Sequence, residues 1–227
     1  VVRINGQVLS NVVAIAAGWG HSQAIKDDGN AIAWGAAPDG SQMHVALGLS
    51  NVVSVAGWYS VVVRRDGTVA NMLDGKTWDG LSNVVAIAAP RIANGSLVAL
   101  HKGGSVTQGG LSAADPAIAV GVSNVVAIAA GGGAQNLALR SDGTVFAWRG
   151  GGGVPDGLSN VVAIAAGRRH SLALRNDGTV VTWGFDAEHY LDVPSGLSNV
   201  VAIAAGDDFS LAITTNSTVL DKSRHTN

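Results

Sequence analysis

Cysteine is absent from the 227 residues. Disulfide staples are thereby excluded, and so is any zinc site built on thiolates. Charge is scarce as well. Asp, Glu, Lys and Arg make up 13% of the chain, against about 25% in an average globular protein. Disordered chains are rich in charge and poor in apolar residues, whereas 47% of this one is hydrophobic. A folded domain with an ample core is therefore expected. There is no basic surplus, since the formal net charge is −2 and the pI about 6.3. That disfavours nucleic acid as a partner.

Catalytic signatures are missing too. No HExxH and no Gly-x-Ser-x-Gly occurs. The glycine run Gly150–Gly153 is not followed by Gly-Lys-Ser/Thr, so it does not read as a phosphate-binding loop. Asp186, Glu188, His189 and Asp192 are the best metal candidates, but their spacing matches no calcium loop and they read as a solvated acidic loop. Neither an enzyme, nor a cofactor, nor a metal is expected. From Pro116 to Leu139 no residue is charged, which approaches the ~20 residues of a membrane span. The same apolar unit recurs elsewhere flanked by Asp, Arg and Gly, and here Gly121, Ser123 and Asn124 interrupt it. Membrane insertion is thus not expected. Val1 stands where an initiator Met would, and no charged and apolar leader remains. With the low charge, this leans towards a secreted or cell-surface protein.

What is there is repetition. SNVVAIAAG begins at Ser10, Ser123, Ser159 and Ser198, with altered copies at Ser50 and Ser82; the starts lie 32–41 residues apart. The single domain 1–227 thus divides into six units starting near residues 9, 49, 81, 122, 158 and 197, with 221–227 as a polar tail expected to fray. Each copy is followed by a second element, clearest at His170–Gly184 (HSLALRNDGTVVTWG) and most degraded at Ser96–Gly109. The first piece is short, rich in Val and Ile and bounded by Gly, which predicts a strand. It is apolar at every position, so both faces are expected to be buried. In the second element, Asp177-Gly178, Asp142-Gly143, Asp66-Gly67 and Asp28-Gly29 join two apolar runs. Gly accepts the positive φ of a tight hairpin, so these pairs predict antiparallel turns. A period of this length with three or four strands predicts an all-β β-propeller of six short blades, with seven blades, one incomplete, as the alternative. The alanines suit a crowded innermost strand. The extra strand VVRI, Val1–Ile4, is expected to complete the last blade and latch the ring.

The pattern AAGxxHSLALxxDGTVxxWG, complete at Ala165–Gly184, resembles the regulator of chromosome condensation repeat family. The units are shorter than those of the founding member and resemble compact bacterial members, secreted propeller-type β-lactamase inhibitors among them. The resemblance implies interlocked propeller blades, commonly seven. The founding member's nucleotide exchange on a small GTPase and chromatin docking are not carried over, because the chain has no lysine-rich tail and its units differ in length.

Comparing the units with one another separates frame from variation. After each AAG the residues change: Trp19; Trp58 and Tyr59; Arg91 and Ile92; Gln135; Arg168 and Arg169; Asp207, Asp208 and Phe209. The loops after the third strand vary as well, as at Ala36–Val45 and Phe185–Val193. Strand parity puts both variable loops on one rim and the Asp-Gly turns on the other. Loops on a rigid frame carry recognition, and Trp, Tyr and Arg anchor interfaces. The expected function is non-enzymatic recognition of a macromolecule, a protein in the first place. A carbohydrate ligand and a structural unit of a larger extracellular protein are the alternatives. Trp34, Trp148 and Trp183 end third strands and read as packing. His21 and His170 share one slot and read as framework histidines bonded to backbone.

Overall fold

The computed structural model describes residues 3–4, 7–18, 20–36, 42–43, 49–57, 60–72, 75–78, 80–89, 97–109, 118–132, 136–149, 153–185, 191–215 and 219–221. Among them every regular element is a strand. Six antiparallel sheets follow one another along the chain. Their inner strands are Val12–Ala17, Val52–Ala56, Val84–Ala88, Val125–Ala130, Val161–Ala166 and Val200–Ala205. A second and a third strand follow in each, as in His170–Arg175 and Val180–Gly184 of blade 5. Gln42–Met43 adds a fourth strand to blade 1, and Ile118–Ala119 adds one to blade 3. With the two-stranded sheet Arg3–Ile4 and Gln7–Val8, this is the expected all-β propeller with blades of three to four strands, and it fits six blades or seven with one incomplete.

Three local features of the sequence build each blade. The first is Asn. Asn11, Asn51, Asn83, Asn124, Asn160 and Asn199 all have φ between +54° and +59°, the left-handed region that Asn tolerates better than most residues. This swings the chain into the inner strand. The second is a β-bulge. Val161 pairs with Arg175 but Ala163 with Leu174, leaving Val162 without a partner, and the same shift recurs in all six inner strands. The bulge turns the second valine of each unit outward, so Val13, Val53, Val85, Val126, Val162 and Val201 are exposed. The expectation of burial on both faces therefore fails at this position in every unit, because a bulge inserts an extra residue that the partner strand does not match; in blade 1 it fails at Val12 and Ile15 as well.

The third feature is the Asp-Gly turn. Gly29, Gly67, Gly143 and Gly178 have φ between +78° and +82°. Asp177 Oδ1 accepts hydrogen bonds from Thr179 N at 2.9 Å and Thr179 Oγ1 at 2.6 Å, and Asp66 and Asp142 do the same with Thr68 and Thr144. These turns also tie blade to blade. Val52 N donates to Gly29 O at 2.9 Å, and the link recurs at Val84–Gly67, Val125–Gly104, Val161–Gly143 and Val200–Gly178 at 3.0–3.2 Å.

Apolar side chains complete the same seams. Five buried clusters each join consecutive blades. Between blades 4 and 5, Leu137 and Leu139 meet Val161, with Ile164 packed alongside. Between blades 5 and 6, Leu174 meets Val200, with Ile203 alongside. The rule is constant: the second strand of one blade faces the inner strand of the next. Stability is thus spread over nearest-neighbour interfaces.

The latch expected from Val1–Ile4 is not formed. Arg3–Ile4 pairs with Gln7–Val8 in a separate two-stranded sheet, and among the described residues the blade 6 sheet contains only its own three strands. Pairing with a segment so near in sequence costs less loop-closure entropy than pairing with blade 6.

Candidate functional site

The inner strands all end in Ala-Ala-Gly or a close variant, and these ends converge. Ala17, Ala89, Ala130, Ala166 and Ala205, from blades 1, 3, 4, 5 and 6, line one cavity of about 680 Å³. Units 32–41 residues apart in sequence can share one hollow only if they fan about a common axis. The glycines are required by this crowding. A Cβ on Gly167 would lie 2.5 Å from Gly206 O and 2.6 Å from His170 Cε1, and one on Gly18 would strike the His21 ring and Gly57 O.

Hydrogen bonds fix which loops share this rim. Ala36 N donates to Gly20 O at 2.7 Å and Phe185 N to Arg169 O at 2.9 Å, so the end of the third strand lies beside the loop that follows AAG. At the opposite end, Asn176 N donates to Asn160 O at 2.9 Å and Asp27 N to Asn11 O at 2.9 Å, so the Asp-Gly turns lie beside the Ser-Asn starts. In blades 1 and 5 the described residues where the two kinds of variable loop begin thus share one rim, and the constant turns occupy the other.

Residues 12–40 and 161–188, most of blade 1 and all three strands of blade 5, match the Regulator of chromosome condensation (RCC1) repeat. Two of the six units thus match the repeat of that family. Solved structures share the fold. Yeast RCC1 (Prp20) in its complex with Kap60 superposes with a TM-score of 0.71 at 18% identity, over 92% of this chain and 69% of that one. Prp20p from Saccharomyces cerevisiae, described with its binding properties to Gsp1p and histones, gives 0.68 at 17% over 92% and 71%. The CRINKLY WD40 ectodomain of the Arabidopsis thaliana receptor kinase ACR4 gives 0.67 at 16% over 92% and 79%. No curated protein matches in sequence. At these identities the likeness establishes the fold.

Within the propeller frame, the structure brings three of the sequence-predicted residues together. Arg168, Asp207 and Phe209 line the axial cavity. Phe209 is 40% exposed and its ring lies over Gly206, where a Cβ would collide with it. Arg168 is exposed, while Arg169 is half-buried and gives its carbonyl to Phe185 N. Asp208 is exposed, and its charge acts on His170. Trp19, Trp58, Tyr59, Arg91, Ile92 and Gln135 lie outside the described residues, as do Asp186, Glu188 and His189. Among the described residues no group of three His, Cys, Asp or Glu could hold a metal ion.

The RCC1-type histidines are framework residues, as the sequence suggests, but they bond to more than backbone. His21 Nε2 lies 3.2 Å from Ser60 Oγ of blade 2 and 3.0 Å from Gln23 Nε2. His170 Nε2 lies 2.9 Å from Ser210 Oγ of blade 6. Burial lowers the pKa of both below the ordinary histidine value; backbone hydrogen bonds, with Gly57 and Phe209 respectively, and the charge of Asp208 beside His170 oppose it. Trp183 is buried in the seam between blades 4 and 5. Trp148 donates from Nε1 to Gln108 Oε1 at 2.6 Å and stacks with Phe146 at 5.9 Å between centroids. Sequence reasoning missed the exposed valines of the bulges. Their sole signal is the repeated Val-Val doublet, and an unbroken apolar run gives no parity to say which residue turns out.

Proposed function

We propose that this propeller is a non-enzymatic binding protein that recognises a protein partner on the rim where the AAG tips meet. The observation that carries this reading is the shared axial cavity. Constant Ala and Gly form its frame, while Arg168, Asp207 and Phe209 give it a cation, an anion and an aromatic face. Such a mixture suits the side chains of a protein surface, where aromatic and Arg residues supply most of the anchoring energy. Similarity in fold to propellers described with Kap60, Gsp1p and histones supports a protein partner. Trp19, Trp58, Tyr59, Arg91, Ile92 and Gln135 follow the inner strands at the corresponding places in the repeat sequence, and the proposal includes them on that ground alone.

The test begins with affinity capture on immobilised protein and measures the affinity of the recovered partner. Arg168→Ala with Phe209→Ala should weaken binding by at least about 2 kcal/mol, or roughly thirtyfold. Unchanged affinity refutes the assignment. Capture of a glycan by the same rim, with no protein retained, would favour the carbohydrate reading.

A further inference from the structure

The sequence holds eight Asp-Gly pairs, and five of them lie wholly within the described residues. At such a pair a backbone can rearrange unaided. The glycine amide nitrogen can attack Cγ of the Asp side chain, because glycine has no Cβ to obstruct the approach. Three things set by the fold decide whether it does: an unbonded amide, an unbonded carboxyl, and room to turn.

Four of the five pairs are locked on every count. Gly29, Gly67, Gly143 and Gly178 each donate their N–H to the carbonyl three residues before, of Lys26, Arg64, Arg140 and Arg175, at 2.9–3.0 Å. Asp66, Asp142 and Asp177 accept from Thr68, Thr144 and Thr179, and Asp28 Oδ1 accepts from Asn30 N at 2.9 Å. Those bonds favour the ionised carboxyl, which has no hydroxyl to lose. Room is short as well. A Cβ on any of these glycines would meet the backbone of the next blade's Asn at 2.8–3.3 Å.

The fifth pair, Asp156-Gly157, is open on every count. Both residues are exposed. They are the centre of a turn that Leu158 N closes on Pro155 O at 3.2 Å, with Gly157 at φ +74°. Among the described residues neither the Asp156 carboxyl nor the Gly157 N–H has a hydrogen-bond partner. A Cβ on Gly157 would meet nothing within 4 Å. The same turn recurs ahead of blade 6, where Leu197 N donates to Pro194 O at 3.1 Å and Gly196 has φ +82°. Ser195 stands there in place of Asp, so the turn itself does not require an aspartate.

We propose that Asp156-Gly157 is a site of spontaneous covalent modification, at which Asp156 converts to isoaspartate with water as the sole co-reactant. The Gly157 nitrogen forms a bond to Asp156 Cγ while a Cγ–O bond breaks. The amide proton and the hydroxyl leave as one water, and a cyclic imide remains. One water then adds back. Opening at Cγ restores aspartate; opening at the main-chain carbonyl carbon routes the chain through the side chain and frees the α-carboxyl. Mass is unchanged, but the backbone gains one carbon. Two residues on, Leu158 is 7% exposed and packs with Leu137, Leu139 and Val161, so the lengthened chain loosens the seam between blades 4 and 5. The site stands apart from the rim function, because it uses neither the axial cavity nor the tips.

The test warms the folded protein in mildly acidic buffer and follows each pair by peptide mapping. Isoaspartate is read as a product of unchanged mass that takes one methyl group from S-adenosylmethionine through an isoaspartate-specific methyltransferase. The peptide with residue 156 should form it about tenfold or more faster than those with residues 28, 66, 142 and 177, whose hydrogen bonds must break first. In denaturant the five rates should converge. Aged protein should melt below fresh protein, and Asp156→Ser, which keeps the turn seen at Ser195, should abolish both the product at 156 and that loss. Absence of product at 156, equal rates in the folded protein, or a difference that survives denaturant overturns the proposal. An equal fall in melting temperature in aged Asp156→Ser overturns the link to the seam.

Discussion

His170 Nε2 and Ser210 Oγ sit 2.9 Å apart across the seam between blades 5 and 6. The histidine is neutral in this setting, since burial holds its pKa below the ordinary value. The unfolded chain takes up a proton near pH 6.5, before the folded protein does. Stability from this group is therefore complete above about pH 6.5 and is lost as pH falls from there towards the lowered folded value. His21 adds in the same direction. The melting temperature should fall between pH 7 and pH 5, and His21→Gln with His170→Gln should flatten that slope. An equal slope in wild type and variant would contradict the assignment.

The four Asp carboxylates of the turns respond at lower pH. Asp66, Asp142 and Asp177 lie below the usual carboxylate range chiefly because Thr68, Thr144 and Thr179 donate to them, and Asp28 does so because of Asn30. Their contribution is present above about pH 3.9 and disappears as pH falls through the lowered values. Acid titration of the triple variant Asp66→Asn, Asp142→Asn, Asp177→Asn should show a shallower loss of melting temperature below pH 4 than wild type.

Asn160 tests the left-handed turn that starts each inner strand. At φ +57°, Asn160→Gly should be neutral within about 0.5 kcal/mol, whereas Asn160→Val should cost about 1–2 kcal/mol. Denaturant unfolding of the two variants separates conformational cost from loss of the side chain. Equal destabilisation by both would refute the conformational account.

Gly167 tests the crowding at the axis. Gly167→Ala places a methyl against Gly206 O and His170, and overpacking of this kind costs typically 1–3 kcal/mol. The melting temperature should drop by roughly 2–4 °C for each kcal/mol. Gly153→Ala, where a Cβ meets nothing within 4 Å, is the matched control and should leave it unchanged.

Much of this architecture was legible because its signals are local. Asp-Gly between apolar runs marks a hairpin at Asp177-Gly178 whatever the rest of the chain does. Strand parity then places the AAG loops and the loops after the third strand on one rim, where Arg169 and Phe185 meet. The bulge at Val162 was hidden because an apolar run without alternation gives no register from which an extra residue would stand out. The serine partner of His170 lies 40 residues away, and no local pattern encodes it. Exposed Ile15 is as apolar as its buried equivalent Ile87, so only the three-dimensional arrangement distinguishes them. The N-terminal latch failed for a related reason: composition allows a strand at Val1–Ile4 but does not choose its partner.

The most direct test of the account is hydrogen exchange on the protein with and without its captured partner. Binding should slow exchange in segments 165–169 and 204–209, beside the axial cavity, and leave the turns at 65–68, 141–144 and 176–179 unchanged. Protection confined to those turns, with the cavity segments exchanging as in the free protein, would contradict it.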